Sequence, residues 1–260
     1  MIKLIASDID GTLVPDGGNE LNPELYDVIL KLRAKGIQFA AASGRQWLSI
    51  ESIFEPIKEK VFYLSDNGAY VGCHGRRLYV NPIERKTVMD MVQDVRNMAG
   101  LDIMICGPDV IYTETDNQEF LDWMINGYKF HVKQVEDITK VESEFIKVSV
   151  YRKTDVEAHT RTLRQKYADR LKMTIAGDMW LDCMRPGINK GQAVKLLQDS
   201  LGIKPEETMA FGDQLNDIEM LKQAYYSFAV GNAREEVKAA ARFRTDTNVN
   251  DGVLKILKLL

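Results

Sequence analysis

The segment Ser7-Asp8-Ile9-Asp10-Gly11-Thr12 closes a mostly apolar stretch with two carboxylates separated by one residue. Carboxylates that close repel each other, and the arrangement costs free energy unless a cation or a shared proton offsets it. On an extended chain, residues two apart point to the same side, about 6 to 7 Å apart by strand rise, and Gly11 lets the chain turn away tightly. One carboxylate, bound to a divalent cation, can then stay ionised as a nucleophile, while repulsion and drier surroundings keep the other protonated as an acid. Alone, an Asp-x-Asp pair serves equally as a solvated turn or a helix cap. An EF-hand is excluded, because the sixth position counted from Asp8 is Leu13 and the twelfth is Asn19; the stretch from Asp246 fails in the same way, with Asp251 and Leu257.

Further polar stretches fall where strands are expected to end. Ser43-Gly44-Arg45 can present a hydroxyl and a close backbone amide to a phosphoryl oxygen, or simply cap a helix. Asn67-Gly68 follows a third strand. Asp213, Asn216 and Asp217 open a helix, where free amides can hold an anion and the acids a metal, or where the acids merely complement the helix dipole. Lys190 sits at the start of another helix and can neutralise a transferring group, although most lysines point into water. His74, His131 and His159 share no ligand spacing. No Walker loop, dinucleotide glycine fingerprint or Ser-His-Asp arrangement is present as a motif.

The elements that must position these residues follow from local patterning. "IKLIAS" has the aliphatic density of a buried strand, and "DGTLVPDGGN" is turn material. Asn22 as cap, Pro23 in the first helical position, Glu24 near the positive end of the dipole and Leu25, Ile29 and Leu32 on one face predict a helix stopped by Gly36. "IQFAAAS", "RQWLSIESIF" and "KVFYLSDNGA" continue as strand, helix and strand, the signature of a parallel sheet with crossover helices. "YVGCHGRRLYVN" reads as a hairpin instead. Next come a helix ("ERKTVMDMVQDVRNMAG"), a strand pair ("DIMICGPDVIYTE"), a helix ("NQEFLDWMING"), a strand ("FIKVSVYR"), one continuous helix ("DVEAHTRTLRQKYAD") and two strands around Gly177-Asp178. That block suggests an α+β unit with its own sheet. From "RPGINKGQAV" the strand and helix alternation returns, so the two outer stretches read as one α/β domain interrupted by an insertion.

Bulk properties limit the functional classes. The 260 residues are 45% apolar, enough for a sizeable core, and the formal charge of -4 with interspersed signs offers no basic stripe for nucleic acid. No run approaches the roughly 20 apolar residues of a membrane span, and the amino-terminal stretch is broken too early for a signal peptide. Cys73, Cys106 and Cys183 are scattered and odd in number, which argues against a disulfide framework and for a reducing cytoplasm.

Taken together, these stretches resemble the haloacid dehalogenase superfamily, specifically its Cof-type group of subclass IIB. "DIDGT" matches the first family motif, "ASGR" the second, the lysine of "NKG" the third and "GDQLND" the fourth, in order and over essentially the whole chain. The resemblance implies an α/β, Rossmann-like catalytic core with a parallel sheet at 1–82 and 187–260, and an inserted α+β cap of type C2B at 83–186. It implies a Mg²⁺-dependent phosphatase that hydrolyses small phosphomonoesters, sugar phosphates foremost, through an aspartyl-phosphate. Asp8 would then be the nucleophile and Asp10 the acid and base. Asp8, the Asp10 carbonyl, Asp213 and Asp217 would hold the metal. The Ile9 and Gly44 amides, Ser43, Lys190 and Asn216 would bind phosphoryl oxygens, Thr12 would position, and Arg45, Asn67 and Gly68 would be substrate contacts. The implied partner is a small phosphorylated metabolite, with no nucleic acid, membrane or partner protein. Two rivals remain at this stage, a phosphomutase of the same superfamily and a binding module that kept the pocket.

Overall fold

The structure is a computed structural model that describes every residue except Asp16, Tyr128 and Gly177, so the expected turn at Gly177 and one residue of the "DGTLVPDGGN" turn lie outside the described residues. The chain begins β1 (Leu4–Ser7), α1 (Pro23–Ala34), β2 (Gln38–Ala42), α2 (Trp47–Ile53), β3 (Phe62–Ser65), β4 (Tyr70–Cys73) and β5 (Arg76–Val80). It continues with α3 (Arg85–Arg96), β6 (Asp102–Cys106), β7 (Ile111–Thr113), α4 (Gln118–Asp122), β8 (Val132–Gln134), β9 (Lys147–Tyr151), α5 (Val156–His159), α6 (Arg161–Lys166), β10 (Lys172–Ala176) and β11 (Trp180–Met184). It ends with α7 (Lys190–Leu201), β12 (Thr208–Gly212), α8 (Ile218–Gln223), β13 (Tyr226–Ala229), α9 (Glu235–Ala240), β14 (Phe243–Arg244) and α10 (Gly252–Leu257).

Two compact units result, Met1–Tyr79 with Asn189–Leu260, and Val80–Ile188. The first holds an eight-stranded sheet in the order β14-β13-β12-β1-β2-β3-β4-β5. Its strands from β14 to β3 pair in parallel, and β4 turns back antiparallel to β3. β1 and β12 are fully buried, as strands covered by helices on both faces must be, which explains the unbroken aliphatic run in "LIAS". α1 begins where its capping chemistry says it should: the Asn22 side chain accepts from the Glu24 amide, and Leu25, Val28, Ile29 and Leu32 are buried.

The second unit is a six-stranded sheet in the order β10-β11-β9-β6-β7-β8, antiparallel throughout except for the β7–β8 pair. Its core joins Ile103, Val148, Val150 and Leu181 of the sheet to Val88, Val92, Val156 and Leu163 of α3, α5 and α6. One expectation is corrected here, and one strand was not anticipated. The continuous helix over "DVEAHTRTLRQKYAD" is broken into α5 and α6 at Thr160, whose buried hydroxyl donates to the Val156 carbonyl, the back-bonding that weakens a helix at Thr. Strand β8 has no signal of its own in the sequence, since its three residues are stabilised by pairing with β7.

An ion network fastens this unit. Arg96 donates to Glu114 and to Asp137, and Glu114 also accepts from the Ile138 amide. Burial would raise the Glu114 carboxyl, but the bonds from Arg96 and Ile138 outweigh it and hold it below the usual range. A lowered folded value means stability that is present above the ordinary glutamate value near 4.5 and lost as pH falls through the folded one. The difference in melting temperature between wild type and Glu114→Gln is therefore expected to be constant at neutral pH and to shrink toward zero in acid. Its plateau should correspond to about 1 kcal/mol at most, because both side chains touch solvent; a pH-independent difference would contradict this.

Candidate active site

The site lies within the first unit, at the carboxyl ends of β1, β2, β3 and β12, where loops leave a parallel sheet and helices begin with free amides. Asp8 follows β1 directly, Ser43 follows β2 and Asp213 follows β12. Parallel pairing of β1 with both β2 and β12 brings these three loops together across more than 200 residues of sequence. Lys190 is the first residue of α7, which Asn189 caps by accepting from the Gln192 amide.

Four charged groups meet in this space. Lys190 Nζ lies 2.6 Å from Asp8 Oδ1 and 2.7 Å from Asp217 Oδ1, and all three side chains are at most 5% exposed. Asp8, Asp213 and Asp217 each offer a carboxylate oxygen within 4.8 Å of the others. Burial and the neighbouring Asp217, reinforced by Asp213, push the Asp8 carboxyl well above its usual range despite Lys190, and burial raises Asp213 as well. Burial would lower the Lys190 ammonium, but Asp217 and Asp8 outweigh it and raise its value. Three acidic side chains against one ammonium crowd oxygen donors into a dry place, where ionising all of them calls for further positive charge. Hard oxygen donors with uncompensated charge are the donor set that suits a magnesium ion, so the residues present fit that ion. Lys190→Met, which strands Asp8 and Asp217 without their cation, should cost about 3 to 5 kcal/mol of stability in denaturant unfolding; a loss under 1 kcal/mol would mean that the pair is not held as described.

The remaining partners show how the cluster is kept in place. Thr12 Oγ1 donates to Asp213 Oδ1 at 2.8 Å, and Gln214 Nε2 reaches Asp213 Oδ2 at 3.1 Å. Asp217 Oδ2 accepts from the amides of Asp213 and Gln214, and Lys190 donates to its other oxygen, so both oxygens also tie the loop together. Gly11 has φ +78°, and a Cβ there would lie 2.3 Å from Asp213 Oδ2, which excludes any side chain. Ile9 is buried, and its carbonyl accepts from the amides of Thr12, Leu13 and Val14 to close the turn after Asp8.

Asp10 stands in a different environment from Asp8. Its carboxylate is paired with Arg45, Nε to Oδ2 at 2.8 Å and Nη2 to Oδ1 at 2.5 Å, and it also accepts from the Gly17 amide. Its side chain is 30% exposed, against 5% for Asp8. Arg45 itself is nearly buried, with further bonds to the Asn19 side chain and the Gly18 carbonyl. Expected as a substrate contact, Arg45 is in this structure engaged by Asp10 and the Gly18-Asn19 loop.

Ser43 is buried, its Oγ accepts from the Arg45 amide, and its carbonyl accepts from the Asn67 amide. Asn216 Nδ2 donates to Asn67 Oδ1 at 2.9 Å, so these two expected contacts are neighbours, and the Asn67 side chain also packs beside Gly44. Gly68 takes φ +96° with the Asn189 carbonyl 2.6 Å from where a Cβ would be, which lets α7 approach closely enough to deliver Lys190. One residue went unnoticed in the sequence: Asn232, after β13, donates to the Gly11 carbonyl at 2.7 Å and accepts from the Asn248 amide. Its position at the end of a parallel strand was the available signal.

A parallel sheet whose central strands end in a buried acidic cluster with one lysine places the chain among α/β proteins that carry their site at the strand ends. Comparison with known proteins makes this specific. The family profile of haloacid dehalogenase-like hydrolases matches residues 5–257, and the chain belongs to that family. It is 28% identical over 257 residues to the 5-amino-6-(5-phospho-D-ribitylamino)uracil phosphatase YbjI of Escherichia coli, covering 98% of this chain and 95% of that one. A crystal structure from Eubacterium rectale superimposes with a TM-score of 0.94 at 36% identity, covering 99% of this chain and 98% of the other. The subclass IIB sugar phosphatase BT4131 is similar with a TM-score of 0.82 at 25% identity, covering 98% of both chains. The activity of the chain is that of a phosphatase of subclass IIB.

Proposed function

We propose that the protein is a Mg²⁺-dependent phosphatase acting on small phosphorylated metabolites, sugar phosphates foremost, through a covalent aspartyl-phosphate. The observation that carries this reading is the contrast between two carboxylates one residue apart. Asp8 is buried against Lys190 in the acidic cluster, whereas Asp10 is held outside it by Arg45 and reaches solvent. A bound cation would be what keeps the dry Asp8 carboxylate ionised for attack, and access to solvent lets Asp10 exchange the proton it carries.

In this reading Asp8, Asp213 and the Asp10 carbonyl would hold the metal, with Asp217 supporting. When bound, the ion supplies positive charge to the phosphoryl oxygens and keeps the Asp8 carboxylate ionised. An Asp8 oxygen attacks phosphorus in line and the bond to the leaving oxygen breaks. Asp10 gives its proton to that oxygen and later takes one from the water that attacks the aspartyl-phosphate, which regenerates Asp8 and releases orthophosphate. Lys190, Ser43, Asn216 and the amides of Ile9 and Gly44 offset charge on the three equatorial oxygens. Thr12 positions Asp213. The unit Val80–Ile188 serves as the cap, which limits stray water and selects the leaving group, and the other unit is the catalytic core. The relatives named above act on a phosphorylated ribityl compound and on sugar phosphates, which supports a hydroxylated metabolite as substrate. Cys73, Cys106 and Cys183 are all buried and odd in number, which supports a reducing, cytoplasmic setting. No helix among the described residues is long and apolar enough to cross a membrane.

Assay of a panel of phosphomonoesters tests the reading. Orthophosphate release is expected with Mg²⁺, loss of at least about 100-fold with a chelator, and recovery on adding Mg²⁺ back. Release that ignores the chelator would remove the metal from the scheme. Isomerised sugar phosphate without release would mark a mutase instead.

A further inference from the structure

Three adjacent strands of the eight-stranded sheet end side by side. β1 pairs in parallel with β12 and β12 with β13, Ser7 opposite Phe211 and Gly212 opposite Ala229. Asp8 and Asp10 follow the first strand, Asp213 follows the second, and the third leads into the loop 230–234 ahead of α9. That third loop carries no acidic residue, yet it is bonded to both of the others.

Asn232 Nδ2 donates to the Gly11 carbonyl at 2.7 Å. Two residues on, the Arg234 amide donates to the Asp213 carbonyl at 3.1 Å. The loop is tied down in its turn, because Asn232 Oδ1 accepts from the Asn248 amide at 3.0 Å and the Gly231 amide donates to the Asp246 carbonyl at 3.1 Å. Asn248 Nδ2 donates to the Val14 carbonyl at 3.2 Å, and that carbonyl also accepts from the Gly11 amide at 2.8 Å. One connected set of bonds therefore grips the turn after Asp10 at Gly11 and at Val14. Asn232 itself is exposed, and water could satisfy its amide there; instead its donor and its acceptor are both engaged by backbone groups, which sets the orientation of the side chain.

The oxygen it holds governs placement. Gly11, at φ +78°, has the softest backbone of the turn. Its carbonyl belongs to the planar peptide shared with Thr12, so holding that oxygen sets the whole plane. With the plane go the direction in which the chain leaves Asp10 and the position of Thr12, whose Oγ1 donates to Asp213 Oδ1 at 2.8 Å. Displacement of a reacting group by about 1 Å costs on the order of 100-fold in rate, so a single bond at this point has leverage out of proportion to its strength.

We propose that Asn232 is a positioning residue of the reaction, which sets Asp10 and, through Thr12, Asp213 by holding the Gly11–Thr12 peptide. The inference rests on the phosphatase reading above, in which those two aspartates act. Asn232 works through the Gly11 carbonyl and not on the substrate.

Two variants separate its bond to Gly11 from its bond to Asn248. Asn232→Ala removes both. Asn232→Asp keeps the shape and can still accept from the Asn248 amide, but its other oxygen cannot donate and meets the Gly11 carbonyl as acceptor against acceptor. Both are compared with wild type at saturating Mg²⁺, on whichever ester of the phosphomonoester panel wild type turns over fastest, 4-nitrophenyl phosphate included, and each sample is melted in parallel. In both variants kcat should fall at least about fivefold, with KM within threefold of wild type. A smaller fall in Asn232→Asp overturns the inference, because the Asn248 anchor would then carry whatever Asn232 contributes. So does a loss confined to KM, or a lowered melting temperature with kcat preserved, the pattern of a purely structural bond. These outcomes leave the phosphatase reading standing. If wild type releases orthophosphate from no ester, that reading itself fails and the inference falls with it.

Discussion

Asp8→Asn is expected to lower turnover of every phosphomonoester by on the order of 10⁴-fold or more, the scale of loss when a covalent nucleophile is removed. The amide keeps the shape of the carboxylate but cannot form the acyl phosphate. The fold should survive, because Lys190 retains Asp217 at 2.7 Å and one of three crowded, buried carboxylates is neutralised. Repulsion from Asp217 and Asp213 is part of what pushes the Asp8 carboxyl upward, so removing that charge relieves the cluster. The melting temperature without metal should therefore be equal to or above that of wild type. Steady-state orthophosphate release and a thermal melt on the same sample check both halves. Turnover within tenfold of wild type would remove Asp8 as the nucleophile.

The second large effect is expected at Asp10, and its signature is selectivity among leaving groups. Asp10→Asn should slow hydrolysis of a sugar phosphate by about 10²- to 10⁴-fold, the usual contribution of a positioned general acid. An alkoxide needs a proton to leave, whereas an activated aryl oxide departs with little help, so the aryl ester should suffer least. The loss should not come from unfolding. Asp10 lies partly in solvent, and Arg45 keeps its bonds to Asn19 and to the Gly18 carbonyl in the variant. Equal losses on the two esters would disprove the acid role and point to a purely structural function for the Asp10–Arg45 pair.

The candidate site was legible to an unusual depth because its groups sit at the ends of strongly patterned elements. The buried run before Asp8, the alanine-rich β2 before Ser43 and the capped start of α7 at Lys190 each declare a boundary by local spacing alone. Less was readable in the second unit. The break at Thr160 depends on a hydroxyl choosing a carbonyl four residues back over solvent, and β8 depends on a neighbour some twenty residues away. Propensity does not encode either event, since both are decided by what packs alongside.

Arg45 and Asn232 illustrate the same limit within the site. As a sequence, "ASGR" offers a cation beside a phosphate-binding turn, and contact with a substrate was the natural expectation. In the folded chain the guanidinium lies on Asp10, 35 residues earlier, in a bidentate pair whose carboxylate side still reaches solvent. Asn232 acts on Gly11 across 221 residues, and nothing in its own neighbourhood announces that partner.

What the amino-acid order determined by itself was the alternation of strands and helices, the interruption by an α+β insertion and the residue types at the strand ends, because these follow from periodicity, caps and glycine placement over a few neighbours. The tertiary structure alone decided that Asp8 and Asp10, separated by one residue, occupy unlike surroundings. Charge, burial and hydrogen bonding around each are supplied by loops distant in the chain, and the free energy of a carboxylate depends on those surroundings far more than on its adjacent residues.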